Sequence, residues 1–257
     1  MTDQTNPTSE PHIVRVRHEL TTRRLEVRRV ERITPIMIRV TFGGADLAGL
    51  ETASPDDHVK LCLPGKDGAI AKREYTIRSH DPDAGTIAID FVDHDAGPAA
   101  DWARGASPGT TLDVMGPRGS QIVSGDIRRW LLIGDETALP AIARRIGELG
   151  PGIAAETLIA VPGPADEQLF AGDAEIEAHW LHRPISEADD PAPFLSALRG
   201  FDLSAVDFVW IGAEGMVARA IRRHLIEDRS VPKTRIKSAG YWLRGRADAS
   251  DKTLDSE

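Results

Sequence analysis

The chain has 257 residues, of which 41% are apolar and 28% charged, and its formal net charge is −9 at pH 7. This length fits one large domain or two modest ones in a globular protein. The acidic balance argues against a nucleic-acid binder and against docking on anionic membranes, because both need a basic surface.

Residues 1–17 are expected to be disordered. The first ten are polar and lack the apolar core of a signal peptide, and no apolar run approaches the roughly 18 residues that span a bilayer. The single cysteine, Cys62, permits no disulfide within the chain and no cysteine-held metal cluster. These features predict a cytoplasmic protein without membrane insertion, and we expect a monomer. If the protein handles electrons, they must travel on a bound organic cofactor or a substrate metal.

Short strands are predicted over residues 18–124. Residues 36–42, 58–64 and 86–92 alternate apolar and polar side chains, and 110–120 adds a further strand that ends in a Gly-Pro turn. Glycine or proline separates these segments. The spacing predicts an antiparallel barrel or sandwich.

The pattern changes over residues 125–246. A continuous apolar run at 130–133 leads through a polar turn into a helix, and the segments 156–163 and 207–228 repeat buried strand and helix. Buried strands that alternate with helices predict a parallel α/β sheet. The polar residues 247–257 are expected to form a flexible tail.

Residues 73–79 combine side chains suited to a flat anionic ligand. An arginine fork matches a pyrophosphate, a tyrosine ring can stack on a heterocycle, and a threonine hydroxyl can hydrogen-bond a ring nitrogen. Since side chains alternate along a strand, Thr76 is expected to face away from Arg73 and Tyr75, and a ligand lying across the strand end can meet both sets. A surface strand with solvated arginines is the alternative.

A second candidate segment leads from a strand into a short helix. Pro98 at the helix start, among small residues, leaves backbone N–H groups free, and such helix N-termini bind phosphate. Gly97 and Ala99 would let a cofactor approach the backbone. His94 fits either a ligand contact or a simple strand-end cap.

The turn at 134–140 follows a buried strand, at the place where nucleotides bind in open α/β sheets, although it lacks a GxGxxG pattern. Asp135 and Glu136 could form an acid–base pair, but adjacent residues rarely face one substrate, so a turn and cap role is favoured. Thr137 would be available to a cofactor. The equivalent turn at 212–217 could line the same crevice.

The segment 240–246 places two aromatic residues beside arginines near the end of the chain. Tyr241 and Trp242 could close over a flavin ring. The alternative is an edge strand whose Trp242 packs into the barrel.

In this order, the segments resemble the siderophore-interacting proteins, flavin-dependent ferric-siderophore reductases of the ferredoxin reductase-like superfamily. The resemblance spans residues 26–246 and depends on "REYTIR", "DFVDHDAGPAADWA", "GPRGS", "GDETALPAIAR" and "GYWLRGRA". It implies an N-terminal FAD-binding antiparallel β-barrel over 18–124 and a C-terminal nicotinamide-binding α/β domain with a parallel sheet over 125–246.

The resemblance also implies three groups of site residues, without a catalytic side chain or a protein metal ligand, because the cofactor carries the redox chemistry. The expected flavin-binding residues are Arg73, Tyr75, Thr76, Ile77, His94, Ala96, Gly97, Pro98, Ala99, Thr137, Tyr241 and Trp242. The expected nicotinamide-side residues are Gly134, Asp135, Glu136, Glu214 and Met216. A basic rim for an anionic ferric siderophore would consist of Lys60, Arg129 and Arg246, unless these are ordinary solvated charges.

The implied activity is the reduction of a ferric siderophore by NADH or NADPH through FAD, which releases ferrous iron. The turn after the second parallel strand carries Asp166 and Glu167 instead of the cation that a 2′-phosphate needs, which favours NADH, although Arg183 could supply the charge. Two alternatives stay open. One is a non-enzymatic siderophore- or iron-binding flavoprotein, and the other is a flavin reductase that passes electrons to a protein partner.

Overall fold

The computed structural model describes residues 9–65, 68–95 and 97–246. In chain order, the elements of the first half are β1 (His12–Arg17), β2 (Thr22–Thr34), β3 (Met37–Gly43), β4 (His58–Pro64), β5 (Ile70–Thr76), β6 (Ser79–Asp81), β7 (Thr86–Val92), α1 (Pro98–Gly105), β8 (Thr111–Met115) and β9 (Gly119–Ser124). Those of the second half are β10 (Arg129–Asp135), α2 (Leu139–Glu148), β11 (Ala154–Val161), β12 (Glu175–His182), α3 (Ala192–Leu198), β13 (Phe208–Glu214), α4 (Gly215–Glu227) and β14 (Ile236–Trp242).

The first half forms a seven-stranded antiparallel sheet in the order β5-β4-β8-β2-β3-β7-β6. Its two edge strands, β5 and β6, are consecutive in the chain and joined only by Ile77 and Arg78, so the two edges lie side by side and the sheet curls on itself. The Tyr75 ring on β5 accordingly packs against the Phe91 ring on β7, with centroids 4.6 Å apart. The predicted strands 58–64 and 86–92 coincide with β4 and β7.

The predicted strand within 110–120 corresponds to β8, which ends at the predicted Gly-Pro turn, and a second strand, β9, begins after that turn. Gly116 adopts a φ of +95°, a conformation that favours glycine, and Pro117 has no N–H to donate to a ladder. The chain therefore turns at this point and β9 leaves the seven-stranded sheet.

The predicted disorder over residues 1–17 is also wrong for residues 12–17. These residues form β1, which pairs antiparallel with β9. Ile13 packs against the core of the second half, so both the hydrogen-bond ladder and apolar contact hold the segment. Residues 1–8 and the predicted tail at 247–257 lie outside the described residues.

The second half is a five-stranded parallel sheet in the order β12-β11-β10-β13-β14. Leu131 and Ile133 of β10 belong to the apolar core on one face, and Trp130 and Leu132 belong to the core on the other. Because both faces are covered, β10 reads as a continuous apolar run. The fold class predicted from the sequence is confirmed. No helix in the described ranges combines the length and the apolarity needed to cross a membrane.

Buried cations of the parallel-sheet half bind the antiparallel half. Arg144 on α2 donates to the Thr52 hydroxyl at 2.9 Å and to the Ile77 carbonyl at 3.0 Å. Lys237 on β14 pairs with Asp56 at 2.7 Å. These contacts set the carboxyl edge of the parallel sheet against the end of β5.

Candidate cofactor site

A cavity of about 770 Å³ lies between the two halves. Its size is that of a site for a small molecule or cofactor. Five parts of the chain that are distant in sequence form its walls: the end of β5, the junction of β7 and α1, the turn after β10, Ile185, and the chain at and after the end of β14. The predicted site residues that line it are Arg73, Tyr75, Thr76, His94, Gly97, Pro98, Ala99, Glu136, Thr137, Tyr241, Trp242 and Arg246. Ala96 lies outside the described residues.

The end of β5 supplies a cation and an aromatic surface. The Arg73 guanidinium donates to the Lys72 carbonyl at 2.8 Å and pairs with no carboxylate in the described part of the chain, which leaves it free to bind an anion. Burial raises the pKa of Tyr75, so its hydroxyl stays neutral. Tyr75 and Thr76 both reach the cavity, although they alternate along the strand, because the cavity lies at the strand's end.

The start of α1 provides the second wall. Pro98 is its first residue, and the N–H groups of Ala99 and Ala100 that follow have no partner within a helix. A Cβ on Gly97 would lie 3.0 Å from the His94 ring, so a larger residue would require this imidazole to shift by a few tenths of an ångström. An N–H pair beside a glycine suits a phosphate oxygen.

The turn after β10 is held by the Asp135 carboxylate, which is 1% exposed. It accepts hydrogen bonds from the Thr137 backbone N–H at 2.9 Å, from the Glu214 N–H at 2.9 Å and from the Trp242 indole N–H at 3.0 Å. The geometry is that of the turn and cap role, and Asp135 forms no acid–base pair with Glu136.

Glu136 behaves differently from its neighbour. It lines the cavity, is 2% exposed, and accepts a hydrogen bond from the Arg183 guanidinium at 2.8 Å. Burial away from water and the Asp135 carboxylate raise the pKa of Glu136 to about 7, against the opposing effect of Arg183. Arg183 faces Glu136 and is not available as the predicted alternative partner of a 2′-phosphate.

Four of the five predicted nicotinamide-side residues do not line the cavity, namely Gly134, Asp135, Glu214 and Met216. Glu214 caps α4 by accepting from the Met216 N–H at 2.6 Å and the Val217 N–H at 3.2 Å. The Met216 side chain is 59% exposed. A Cβ on Gly134 would lie 2.8 Å from the Ala138 Cβ, so this glycine allows the turn to pack against β10.

Ile77 is the one described residue of the predicted flavin-binding set that does not line the cavity. Its side chain is completely buried in the core of the antiparallel half and does not line the cavity. Its backbone N–H donates to the Asp57 carbonyl at 2.9 Å, and its carbonyl accepts from Arg144. The residue holds the two halves together where the chain leaves β5.

Two of the three predicted rim cations are also away from the cavity. Arg129 begins β10, and the cavity lies at the opposite end of that strand. Lys60 on β4 lies 3.6 Å from Glu74 and does not line the cavity. Of the predicted rim, the structure places only Arg246 at the cavity.

Sequence reasoning missed several cavity residues. Arg244 was visible in the segment 240–246, and its guanidinium donates to the Ile185 and Ser186 carbonyls at 3.0 and 2.8 Å. Asp90 pairs with Arg39 through two hydrogen bonds of 2.6 and 2.7 Å. In the sequence it is one polar residue within an alternating strand, so nothing marks it as a site residue. Nothing in the sequence around Ile185 indicates that it reaches the cavity.

These walls fit FAD. The free guanidinium of Arg73 and the N–H groups at the start of α1 suit a pyrophosphate, and the glycine at position 97 leaves room for it. The rings of Tyr75 and Trp242 offer surfaces for a flat heterocycle. That individual residues bind FAD stays a prediction.

Comparisons with known proteins agree with this fit. The family model of the siderophore-interacting FAD-binding domain matches residues 26–72 and 66–121, and that of the siderophore-interacting protein matches residues 127–245. The NADPH-dependent ferric-chelate reductase of Escherichia coli (strain K12) is 33% identical over 252 residues, which cover 89% of this chain and 95% of that protein. The ferric acinetobactin reductase of Acinetobacter baumannii is 30% identical over 183 residues, which cover 70% of this chain and 63% of that protein.

Among solved structures, a siderophore utilization protein from T. fusca is 36% identical, with a TM-score of 0.85 over 93% of this chain and 98% of that one. The ferredoxin reductase in carbazole 1,9a-dioxygenase, 18% identical, shares the fold, with a TM-score of 0.65 over 85% of this chain and 69% of that one. The chain belongs to the siderophore-interacting protein family. The resemblance noted in the sequence is confirmed.

Proposed function

We propose that the protein reduces ferric siderophores with electrons that pass from a nicotinamide through FAD, and thereby releases ferrous iron. The observation that carries the proposal is that one cavity joins both halves of the fold. The FAD-type wall at Arg73, Tyr75 and Thr76 faces the turn that contains Thr137, at the carboxyl edge where open α/β sheets bind nucleotides.

The residues of the cavity divide into anchoring and orienting groups. Arg73 and the N–H groups of the first turn of α1 would hold the pyrophosphate. Tyr75 and Trp242 would flank the ring system, and the Thr76 hydroxyl would hydrogen-bond its polar edge. The Thr137 hydroxyl donates to Asp135, so toward the ring it would act as an acceptor. Bound FAD supplies the chemistry, since it accepts a hydride and can give up electrons singly.

A ferric siderophore as substrate is supported by the two relatives named as reductases of ferric compounds. Iron in such chelates is held by hard oxygen ligands, which bind ferrous iron less tightly than ferric iron, so reduction releases the metal. Arg246 lines the cavity and would attract an anionic chelate, whereas Arg244, which lines it as well, already pairs with Asp189 at 3.0 Å.

The choice of nicotinamide is a separate prediction. Asp166 accepts from the Ile36 N–H at 3.2 Å, and Glu167 pairs with His182 at 2.8 Å, so the turn after β11 is acidic and its neighbouring histidine is already paired. This arrangement favours NADH. The E. coli relative is named as NADPH-dependent, so both donors have to be compared. A monomeric state and a cytoplasmic location also stay predictions.

The test supplies FAD-loaded protein with NADH or NADPH and a panel of ferric hydroxamates and catecholates, with a ferrous-specific chelator as reporter. We expect ferrous iron only when nicotinamide, protein and ferric siderophore are all present. Bound FAD that neither nicotinamide reduces would favour the non-enzymatic flavoprotein. FAD that is reduced by nicotinamide but reoxidised by none of the chelates would favour transfer to a protein partner.

A further inference from the structure

We propose that the Glu136 carboxylate accepts the proton that the cavity has to release in each catalytic cycle, with Arg183 as its counter-ion. The inference rests on the proposed function. It adds to that function a role for the buried Glu136 carboxyl, which neither anchors nor orients the cofactor in the account above.

Proton release follows from the stoichiometry of the proposed reaction. A nicotinamide gives up a hydride, which carries two electrons and one proton, and each ferric ion accepts one electron. One nicotinamide therefore reduces two ferric chelates to ferrous chelates and becomes oxidised, and one proton is left over. A positioned acceptor on the cavity wall assists the departure of such a proton.

The position of Glu136 suits this task. Glu136 is one of the residues that line the cavity, and the next residue, Thr137, lines it as well. The Arg183 guanidinium lies beside the carboxylate, with its two terminal nitrogens 2.8 and 3.4 Å from the two carboxylate oxygens. Both side chains are 3% exposed, so bulk water screens their electrostatic interaction only weakly.

The charges around Glu136 explain why its pKa lies near neutral pH. Removal from water and the Asp135 carboxylate favour the neutral carboxyl, whereas Arg183 favours the carboxylate. These opposing effects place the pKa of Glu136 at about 7. A carboxyl of this kind takes up a proton from the cavity and returns it to solvent at neutral pH.

Other charged groups share the cavity and must be considered with Glu136. The described ones that line it are Arg73, Glu74, Asp90, His94, Arg244 and Arg246. Asp90 is held by two hydrogen bonds from Arg39, and Glu74 lies 3.6 Å from Lys60. Burial raises the pKa values of Tyr75 and Tyr241, so these phenols stay protonated and do not accept the proton.

The test uses FAD-loaded holoprotein in three variants beside the unsubstituted chain. Glu136→Gln keeps the shape of the side chain but removes the acid, and Glu136→Asp keeps an acid on a shorter side chain. Glu227→Gln is the matched control, because Glu227 also pairs with an arginine, Arg223, but lies on the surface of α4.

The first readout needs neither nicotinamide nor siderophore. The flavin is reduced photochemically near pH 7, and infrared difference spectra are recorded on protein that contains ¹³C-carboxyl glutamate. A carboxyl that exchanges a proton with the cofactor cavity changes its protonation between the oxidised and reduced protein. We expect a glutamate carboxyl band that the label shifts in the unsubstituted chain and in Glu227→Gln. It should be absent from Glu136→Gln and insensitive to the label in Glu136→Asp.

The second readout is the rate at which a ferric hydroxamate reoxidises the reduced protein. The rate should rise with pH, with a midpoint at about pH 7, and then level off, because only the carboxylate form of Glu136 accepts a proton. Above that pH, Glu136→Gln should be slower by roughly 10²-fold, the lower end for general-base assistance, and should lose the rise.

The same infrared bands and the same pH profile in Glu136→Gln as in the unsubstituted protein would overturn the inference. If Glu136→Gln does not fold, the unsubstituted chain and Glu136→Asp still decide. A label-sensitive band that is missing from the unsubstituted chain, or one that persists in Glu136→Asp, counts against Glu136. Failure of the proposed function would give a different result. The protein would then bind no FAD, or its reduced FAD would be reoxidised by no ferric chelate.

Discussion

The indole N–H of Trp242 donates to the Asp135 carboxylate at 3.0 Å, which joins the end of β14 to the turn after β10. The same carboxylate binds the backbone N–H groups of Thr137 and Glu214. One buried acid thus sets the positions of three segments at the carboxyl edge of the parallel sheet. The aromatic wall of the cavity depends on it.

Asp135→Asn should therefore weaken both the fold and FAD binding. An amide nitrogen cannot accept, so at least one donor loses its buried partner, at a cost of about 1–3 kcal/mol in the free energy of unfolding. Urea unfolding and FAD titration measure the two effects. Asp207→Asn is the control, because Asp207 accepts from the Arg128 and Arg129 N–H groups at the opposite end of β10 and should leave FAD affinity unchanged. Equal FAD affinity in Asp135→Asn and the unsubstituted chain would contradict this prediction.

Arg73→Ala should raise the Kd for FAD. A charged hydrogen bond contributes about 1.5–3 kcal/mol, which corresponds to a change in Kd of roughly 10- to 10²-fold. Quenching of FAD fluorescence during titration of the apoprotein measures the change. Lys72→Ala removes an exposed cation one position earlier and does not touch the cavity, so its Kd should stay that of the unsubstituted chain. The same weakening in both variants would mean that general charge and not the position of Arg73 matters.

Gly134→Ala should destabilise the parallel-sheet half. The added Cβ would lie 2.8 Å from the Ala138 Cβ and 2.8 Å from the Gly212 carbonyl oxygen, so the backbone has to move, at a cost of about 1–3 kcal/mol. Denaturant unfolding of the apoprotein measures this. Gly150→Ala is the matched control, since no atom lies within 4 Å of its added Cβ. Similar unfolding midpoints for the two variants would show that α2 tolerates the shift.

The pair of Asp56 and Lys237 should make stability depend on pH in the acid range. Burial alone would raise the pKa of Asp56, but Lys237 and the Ser54 hydroxyl outweigh it and hold the pKa below its ordinary value. A lowered pKa contributes stability that is present above the ordinary carboxyl value and is lost as the pH falls through the folded value. The free energy of unfolding should therefore decrease as the pH is lowered below about 4.

Lys237→Met tests the origin of that decrease. It leaves Asp56 buried without its cation, which should cost about 3–5 kcal/mol at neutral pH and reduce the loss on acidification. Arg223→Met breaks an exposed pair with Glu227 and should change little at either pH. An acid transition of the same size in Lys237→Met and the unsubstituted chain would show that other groups cause it.

The sequence predicted best where a local pattern decides the structure. Strands β4 and β7 follow directly from alternating side chains, and the apolar run of β10 follows from burial on both faces. It predicted less well where pairing partners decide. β1 is ordered because β9 lies beside it, and the sequence around residue 12 does not contain that information.

The site shows the same limit. Arg73, Tyr75 and Thr76 reach the cavity because they end a strand, which their own segment indicates. The contact between Glu136 and Arg183 spans 47 positions and depends on the order of the parallel strands. Arg129 shows that a suitable charge does not fix a position, since it begins β10 and the cavity lies at the strand's other end.

A crystal structure of the protein grown with FAD tests the central claim most directly, namely that the cavity between the two halves binds the flavin. We predict density for the ring system against Tyr75 and Thr76, with the pyrophosphate at Arg73 and the start of α1, and with one edge of the ring accessible from solvent beside Arg246. FAD bound elsewhere, or a cavity that stays empty at saturating FAD, would contradict the claim.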